Sequence, residues 1–227
     1  MLQVLWQKIY ETFILQDRYL FFLDGLKTTL LLTFASFLLG TAVGVLLCAA
    51  SRSRHQLIKR CAMLLRALFV EMPTMVLLMI LVYIIFGRSA LPIIWVVIVG
   101  LTLKAGSYLS EIFDAALNTV AAGEIEAART LGMSGWQAFR YVALPQTVTS
   151  ALPLYKNQFI ASMQETSVVG YLAIVDLTRA SSIISSRTLD AFFGIISVTI
   201  LYFLIGGAVK LLFRLLSAQV KKGGTNA

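Results

Sequence analysis

Long apolar runs separated by short polar ones set the rhythm of this chain. The clearest run, Thr28 to Ala50, contains no charged residue. A hydrocarbon core of about 30 Å needs roughly 20 apolar helical residues, and this run supplies them. A second run extends from about Ala67 to Phe86 and is interrupted by Glu71. A third begins near Leu91 and continues to about Leu117, with Lys104 and Glu111 inside it. The fourth and weakest covers about Ser150 to Ile174 and carries Pro153, Lys156, Gln164 and Glu165. The fifth is Ala191 to about Leu212, uncharged as far as Lys210. The pattern predicts an all-α integral membrane protein with about five transmembrane helices.

Three segments fall outside the runs. Residues 1–22, beginning "MLQVLWQKIYETFILQDRY", mix charge with apolar residues at helical spacing. They lack a small-residue cleavage site, so an amphipathic helix on the membrane is expected rather than a signal peptide. Residues 23–217 form the expected transmembrane domain, and 218–227 a basic tail. "GTAVG", Gly40 to Gly44, is a small-xxx-small pair that permits close helix approach, a weak signal in a chain with 15 glycines.

The polar segment at about 120–146 reads as a hairpin of two short helices. Acids open the first helix, Glu124 to Leu131, and Arg129 sits later, which suits the macrodipole. Gly132 stands where a C-cap glycine would. Ser134 is the expected N-cap of a second helix, Gly135 to Val142, with Gln137 completing a capping box. Trp136 and Phe139 share one face, and Pro145 should end the unit and start the next span. Ala127 and Ala128 allow another backbone close. Two readings follow from the residues: the hairpin docks a partner through its aromatic pair, or it rests on lipid with Trp136 at headgroup level.

Composition supports the membrane reading. Of 227 residues, 59% are hydrophobic and only 13% charged, with a mean hydropathy of +0.85. A soluble domain could not cover itself with so few polar groups. The net charge of +8 would suggest nucleic acid on a soluble protein. Here the basic residues flank apolar spans, without an aromatic-interleaved stripe, so nucleic acid is not an expected partner. Arg52, Arg54, Lys59, Arg60 and Arg66 follow the first span, and Lys210, Arg214, Lys221 and Lys222 follow the last. Both sets are expected on the cytoplasmic side. Five spans satisfy both, leaving the N-terminus outside, the hairpin and C-terminus in the cytoplasm, and the loop Asp176 to Asp190 outside. Cys48 and Cys61 have no metal-ligand spacing, and His55 is the single histidine, so no metal site or disulfide is expected.

The order Glu126-Ala127-Ala128, then Gly132, then Leu144-Pro145 resembles the EAA loop of ABC importer permeases. "SYLSEIF", "ALPLYKNQFIASMQETSVV" and "LDGLKTTLLLTFAS" resemble segments of the permeases that import polar amino acids. The likeness covers nearly the whole chain. It implies that the hairpin docks into a cleft on a separate ABC ATPase subunit, with Glu126, Ala127, Ala128, Arg129, Gly132, Trp136, Phe139, Leu144 and Pro145 as coupling residues. It further implies a second permease subunit, identical or different, and an extracytoplasmic solute-binding protein that delivers an amino acid. The setting implied is a bacterial inner membrane. ATP and Mg2+ would belong to the ATPase, because this chain has no GxxxxGK[ST] phosphate loop. No catalytic residue is expected.

Ionisable and polar residues inside spans are functional suspects. Glu71, Lys104, Tyr108, Glu111, Asn157, Gln164, Glu165 and Thr166 are the candidates for a substrate path. Several depart from the resembled family. That family usually reads RGTP where this chain has "VEMP" and an uncharged residue in place of Lys104. It also carries a glutamine in place of Leu77 and a lysine in place of Gln164. Either Glu71 and Lys104 pair across spans two and three, or Glu71 faces the cavity and reads a basic side chain. Pro153 should bend the start of the fourth span, and Gln164 to Ser167 should break it. Two other functions compete with an importer subunit: an ion- or proton-coupled secondary carrier using Glu71, Glu111 and Lys104, and a scaffold that only docks a partner.

Overall fold

The chain enters through a short helix, α1 (Leu2–Ile9), in a computed structural model that describes residues 2–223. A π-helical turn, Tyr10–Ile14, follows. Gln16 and Asp17 then sit at φ 57° and 53°, so the amphipathic segment is interrupted rather than one continuous helix. α2 (Tyr19–Ser51) has 33 residues, about 50 Å of helix and longer than a bilayer core. α3 (Gln56–Glu71) and α4 (Thr74–Met79) come next, and α4 continues as a π-helical stretch, Ile80–Ile85. α5 (Ile93–Leu117) precedes the hairpin helices α6 (Ala122–Thr130) and α7 (Gly135–Ala138). A π-helical stretch, Phe139–Ala143, leads into α8 (Leu144–Glu165), which ends in a 3-10 stretch, Thr166–Leu172. α9 (Leu177–Thr188) and α10 (Ala191–Gly223) complete the order.

α2, α5 and α10 are each long and apolar enough to cross a membrane, and the described residues give up to five spans if each of two bent helix pairs counts as one. The expected second span is not straight. It turns by 109° between α3 and α4, because Pro73 has no N–H to continue the helix and Met72 leaves it in an extended conformation (φ −71°, ψ 130°). The fourth span passes from α-helix to a 3-10 stretch after Glu165, at the polar run, but its 50° bend towards α9 comes later, between Leu172 and Leu177.

Pro145 does not end the hairpin. Helix runs on from Gly135 through it, and the π-helical turn before it takes up the missing N–H. α8 also passes unbroken through Pro153. The expected loop Asp176 to Asp190 contains α9, capped by Asp176, whose carboxylate accepts from the N–H groups of Arg179 (2.9 Å) and Thr178 (3.1 Å). α10 continues into the segment read as a tail. The side chains of Lys221 and Lys222, and everything beyond Gly223, lie outside the described residues.

Two compact units divide the chain. The first comprises residues up to Ser36, Pro73–Leu101 and Ile160–Leu211; the second comprises Phe37–Met72, Thr102–Phe159 and the chain from Leu212. In the first, Phe22, Leu177 and Ile184 form a core against which Phe13, Val198 and Leu201 pack. The hydroxyl of Thr29 there accepts the Leu177 N–H at 3.1 Å. In the second, α2 and α5 meet at glycines. A Cβ on Gly44 would lie 2.8 Å from Leu109 Cβ, and one on Gly106 would lie 2.7 Å from Val43 Cγ1. The weak small-residue signal at Gly40 and Gly44 is thus a real close crossing.

Candidate functional site

The hairpin belongs wholly to the second unit, and local sequence rules build it. α6 closes with a complete Schellman motif. The Met133 N–H donates to the Ala128 carbonyl (3.2 Å) and the Gly132 N–H to that of Arg129 (3.1 Å). Gly132 holds φ +90°, where any Cβ is strained. α7 opens with the expected capping box. Ser134 Oγ accepts from the Gln137 N–H (3.3 Å), and the Gln137 side chain accepts from the Ser134 N–H (2.7 Å). One end of the turn is therefore fixed by backbone hydrogen bonds and the other by side-chain caps. A side-chain hydrogen bond from Gln146 to Glu124 ties the hairpin's base.

The hairpin presents a defined surface. The rings of Trp136 and Phe139 stack at 5.6 Å between centroids, and Trp136 is 66% exposed. Leu131, at the tip, is 82% exposed. Sequence reading kept Leu131 as helix and missed it as a surface anchor. The signal was an apolar residue directly before a C-cap glycine. Glu126, Ala127 and Arg129 are exposed, whereas Ala128 is buried inside the hairpin. Leu144 and Pro145 are exposed at the start of α8. Behind the hairpin lies an apolar cavity of about 790 Å3, walled by Phe139 and Ile125 from the hairpin, Val45 and Cys48 from α2, and Phe113 and Tyr155.

The eight candidate path residues separate. In the second unit, α5 presents Lys104, Tyr108 and Glu111 on one face, at helical spacing, to α3. Lys104 is 4% exposed, and its ammonium donates to the carbonyls of Phe69 (3.4 Å), Val70 (3.4 Å) and Met72. The Tyr108 hydroxyl donates to the Val70 carbonyl at 3.3 Å. Glu111 faces Arg66 at 3.7 Å, and Asp114 bridges to Arg52 at 2.5 Å. Glu71 is exposed. The Lys104 ammonium thus caps carbonyls at the C-terminal end of α3. Asn157, on α8, is exposed.

Gln164, Glu165 and Thr166 lie in the first unit, at the break after α8. Gln164 and Ser167 line a groove of about 550 Å3 with Thr199, Tyr202, Phe203 and Lys210 of α10. Thr166 is fully buried. The Tyr202 hydroxyl shares a hydrogen bond with Thr178 at 3.3 Å. Tyr202 and Ser167 were not among the expected residues. Tyr202 sits in an uncharged apolar run, where one tyrosine reads as packing.

Apolar spanning helices, two bent helix pairs and a polar hairpin between spans define a membrane permease component. Residues 40–222 match the family described as the binding-protein-dependent transport system inner membrane component, and the chain belongs to that family. It is 30% identical over 221 residues to the histidine/lysine/arginine/ornithine transport system permease protein HisM of Salmonella typhimurium, covering 92% of each chain. It is 29% identical over 187 residues to the probable amino-acid permease protein YxeN of Bacillus subtilis, covering 81% of this chain and 84% of that one. A solved structure of an amino acid ABC transporter with histidines superposes with a TM-score of 0.81 at 30% identity, covering 88% of this chain and 94% of that one. The inward-facing MetNI methionine ABC transporter, at 21% identity and a TM-score of 0.74, shares the fold. The family expected from the hairpin's residues is the family found.

Proposed function

We propose that this chain is the transmembrane subunit of an ATP-driven importer for a polar amino acid in a bacterial inner membrane. The hairpin docks on an ATPase that holds ATP and Mg2+. Closure of that ATPase moves this chain and a second permease subunit between inward- and outward-open states. A solute-binding protein delivers the substrate outside. The N-terminus lies outside and the C-terminus in the cytoplasm, following the basic residues after α2 and in α10. The observation that carries the reading is a hairpin capped at both sides of its turn, with Leu131 and Trp136 exposed at its surface. The relatives' names support amino acids as substrates. Membership of a binding-protein-dependent transport family disfavours the secondary carrier and the scaffold.

Gln164 and Ser167 are the best supported lining residues, in a groove that also contains Tyr202. Glu71 and Asn157, both exposed, remain candidates. Lys104, Tyr108 and Glu111 are engaged by α3 and serve the helix pair first. α10 offers the second permease its surface. Only 17% of its most apolar stretch is buried, and a Cβ on Gly206 or Gly207 would meet nothing within 4 Å.

The test is a mild-detergent pull-down from native membranes comparing wild type with Gly132→Pro. The proline removes the N–H that bonds Arg129 and forces φ away from +90°. The ATPase should co-purify with wild type and be lost, at least tenfold, from a mutant whose spans remain folded. Recovery of no ATPase with wild type, under conditions that retain other complexes, would sink the proposal.

A further inference from the structure

The break in the second span creates a problem of unpaired carbonyls. In an unbroken helix, residue 73 would donate its N–H to the Phe69 carbonyl. Residue 73 is proline and has none. The Met72 N–H still closes on Leu68 at 3.2 Å, but the chain then turns away, and the Val70 carbonyl loses its successor as well. In hydrocarbon such orphaned carbonyls cost several kcal/mol each. They also stand at the negative end of the α3 dipole, where a cation is favoured.

α5 carries a cation to that point. Lys104 is buried to 4% exposure, and its ammonium donates to the Phe69, Val70 and Met72 carbonyls. One turn on, Tyr108 donates to Val70, and its ring centroid lies 5.5 Å from the same ammonium. An ammonium has three donors, and three carbonyls face it. A buried lysine and a set of half-buried carbonyls without helix partners are each costly alone, and the hydrogen bonds between them offset both costs.

We propose that the Phe69, Val70 and Met72 carbonyls form a receptor for a primary ammonium group, which this chain fills with its own Lys104. Lys104 is thereby a positioning residue that fixes the C-terminal end of α3. Cutting the side chain back vacates the receptor, and a free primary ammonium ion of small size then enters it.

The experiment uses the full chain in lipid nanodiscs, with Lys104→Ala, Lys104→Met and wild type melted in ethylammonium chloride or tetramethylammonium chloride at equal ionic strength. Lys104→Ala should lower the unfolding midpoint by about 5 °C, as expected for lost charged hydrogen bonds. Ethylammonium should restore at least half of that loss. Tetramethylammonium, which has no N–H, should restore none. Lys104→Met should be lowered too and stay lowered in both salts, since its side chain fills the space. Wild type should ignore the choice of cation. The proposal is overturned if either variant melts with wild type, or if both salts rescue equally. If neither variant folds, wild type decides. Nitrogen-labelled lysine and carbonyl-labelled methionine should give a solid-state magnetic-resonance contact between Lys104 Nζ and the Met72 carbonyl. Its absence overturns the proposal.

Discussion

Lys8 and Asp190 meet at 2.8 Å, joining the first helix to the α9–α10 junction within one unit. The hydrogen bond from Lys8 holds the Asp190 carboxyl below its ordinary value of 3.8, and the same bond raises Lys8 above 10.5. The lowered acid contributes above its unfolded value and is lost as pH falls through the folded one. The raised base contributes below its unfolded value and is lost as pH climbs through the folded one. The contact should therefore persist across the whole neutral range. Spin labels at Gln3 and Leu189 should report one narrow distance at neutral pH, broadening only in strong acid or strong alkali, while Asp190→Asn should be broad throughout. Identical distributions for the variant and wild type at neutral pH would remove the tether. Single residues differed in legibility. Gly132 and Ser134 were readable because caps depend on a few neighbouring positions. The partners of Lys104 were not, because they are backbone atoms exposed by a bend elsewhere in the chain.

At the scale of elements, the crossing of α2 on α5 is the tightest helix contact in the second unit that glycine makes possible. Gly44 leaves 2.8 Å to Leu109 Cβ and 3.0 Å to the Gly106 carbonyl oxygen for any added Cβ. Both neighbours are close to the backbone, so neither can swing aside. Gly44→Leu should cost about 1–3 kcal/mol, seen as a fall of roughly 5 °C in the detergent-solubilised unfolding midpoint. Gly123→Ala is the control. Its Cβ would meet nothing within 4 Å, and its midpoint should hold or rise slightly. Equal losses in both would mean that the crossing is not tight. The five apolar runs were legible because length and composition alone report them. Their bends were only half legible. Gln164 to Ser167 announced the change from α to 3-10 geometry, but the 50° bend lies beyond Leu172. Pro73 lies in an apolar run whose hydropathy gives no hint of a 109° turn. Pro145 misled in the opposite sense, because a π-helical turn absorbed its missing N–H.

At the scale of the molecule, the least satisfied surface is that of α10. Phe203 is 79% exposed and Leu204 59%, beside the groove that holds Gln164 and Ser167. In a membrane, exposed apolar side chains alone do not demand a partner, since lipid covers them. Gly206 and Gly207 add something that lipid does not require. Two successive helical glycines weaken a helix by roughly 1 kcal/mol each relative to alanine, and neither packs against this chain closely enough for a Cβ to touch anything. Small residues on an open helix face are what lets a second backbone approach. If the second permease packs there, Gly207→Leu should leave the midpoint of the isolated chain unchanged or slightly raised. The same substitution should lower ATP-driven amino acid uptake by the reconstituted complex at least tenfold, a loss of about 1.4 kcal/mol or more. Uptake should be read together with the amount of second permease recovered by cross-linking. A stable, fully paired and fully active Gly207→Leu complex would move the subunit contact away from α10 and leave that groove facing lipid.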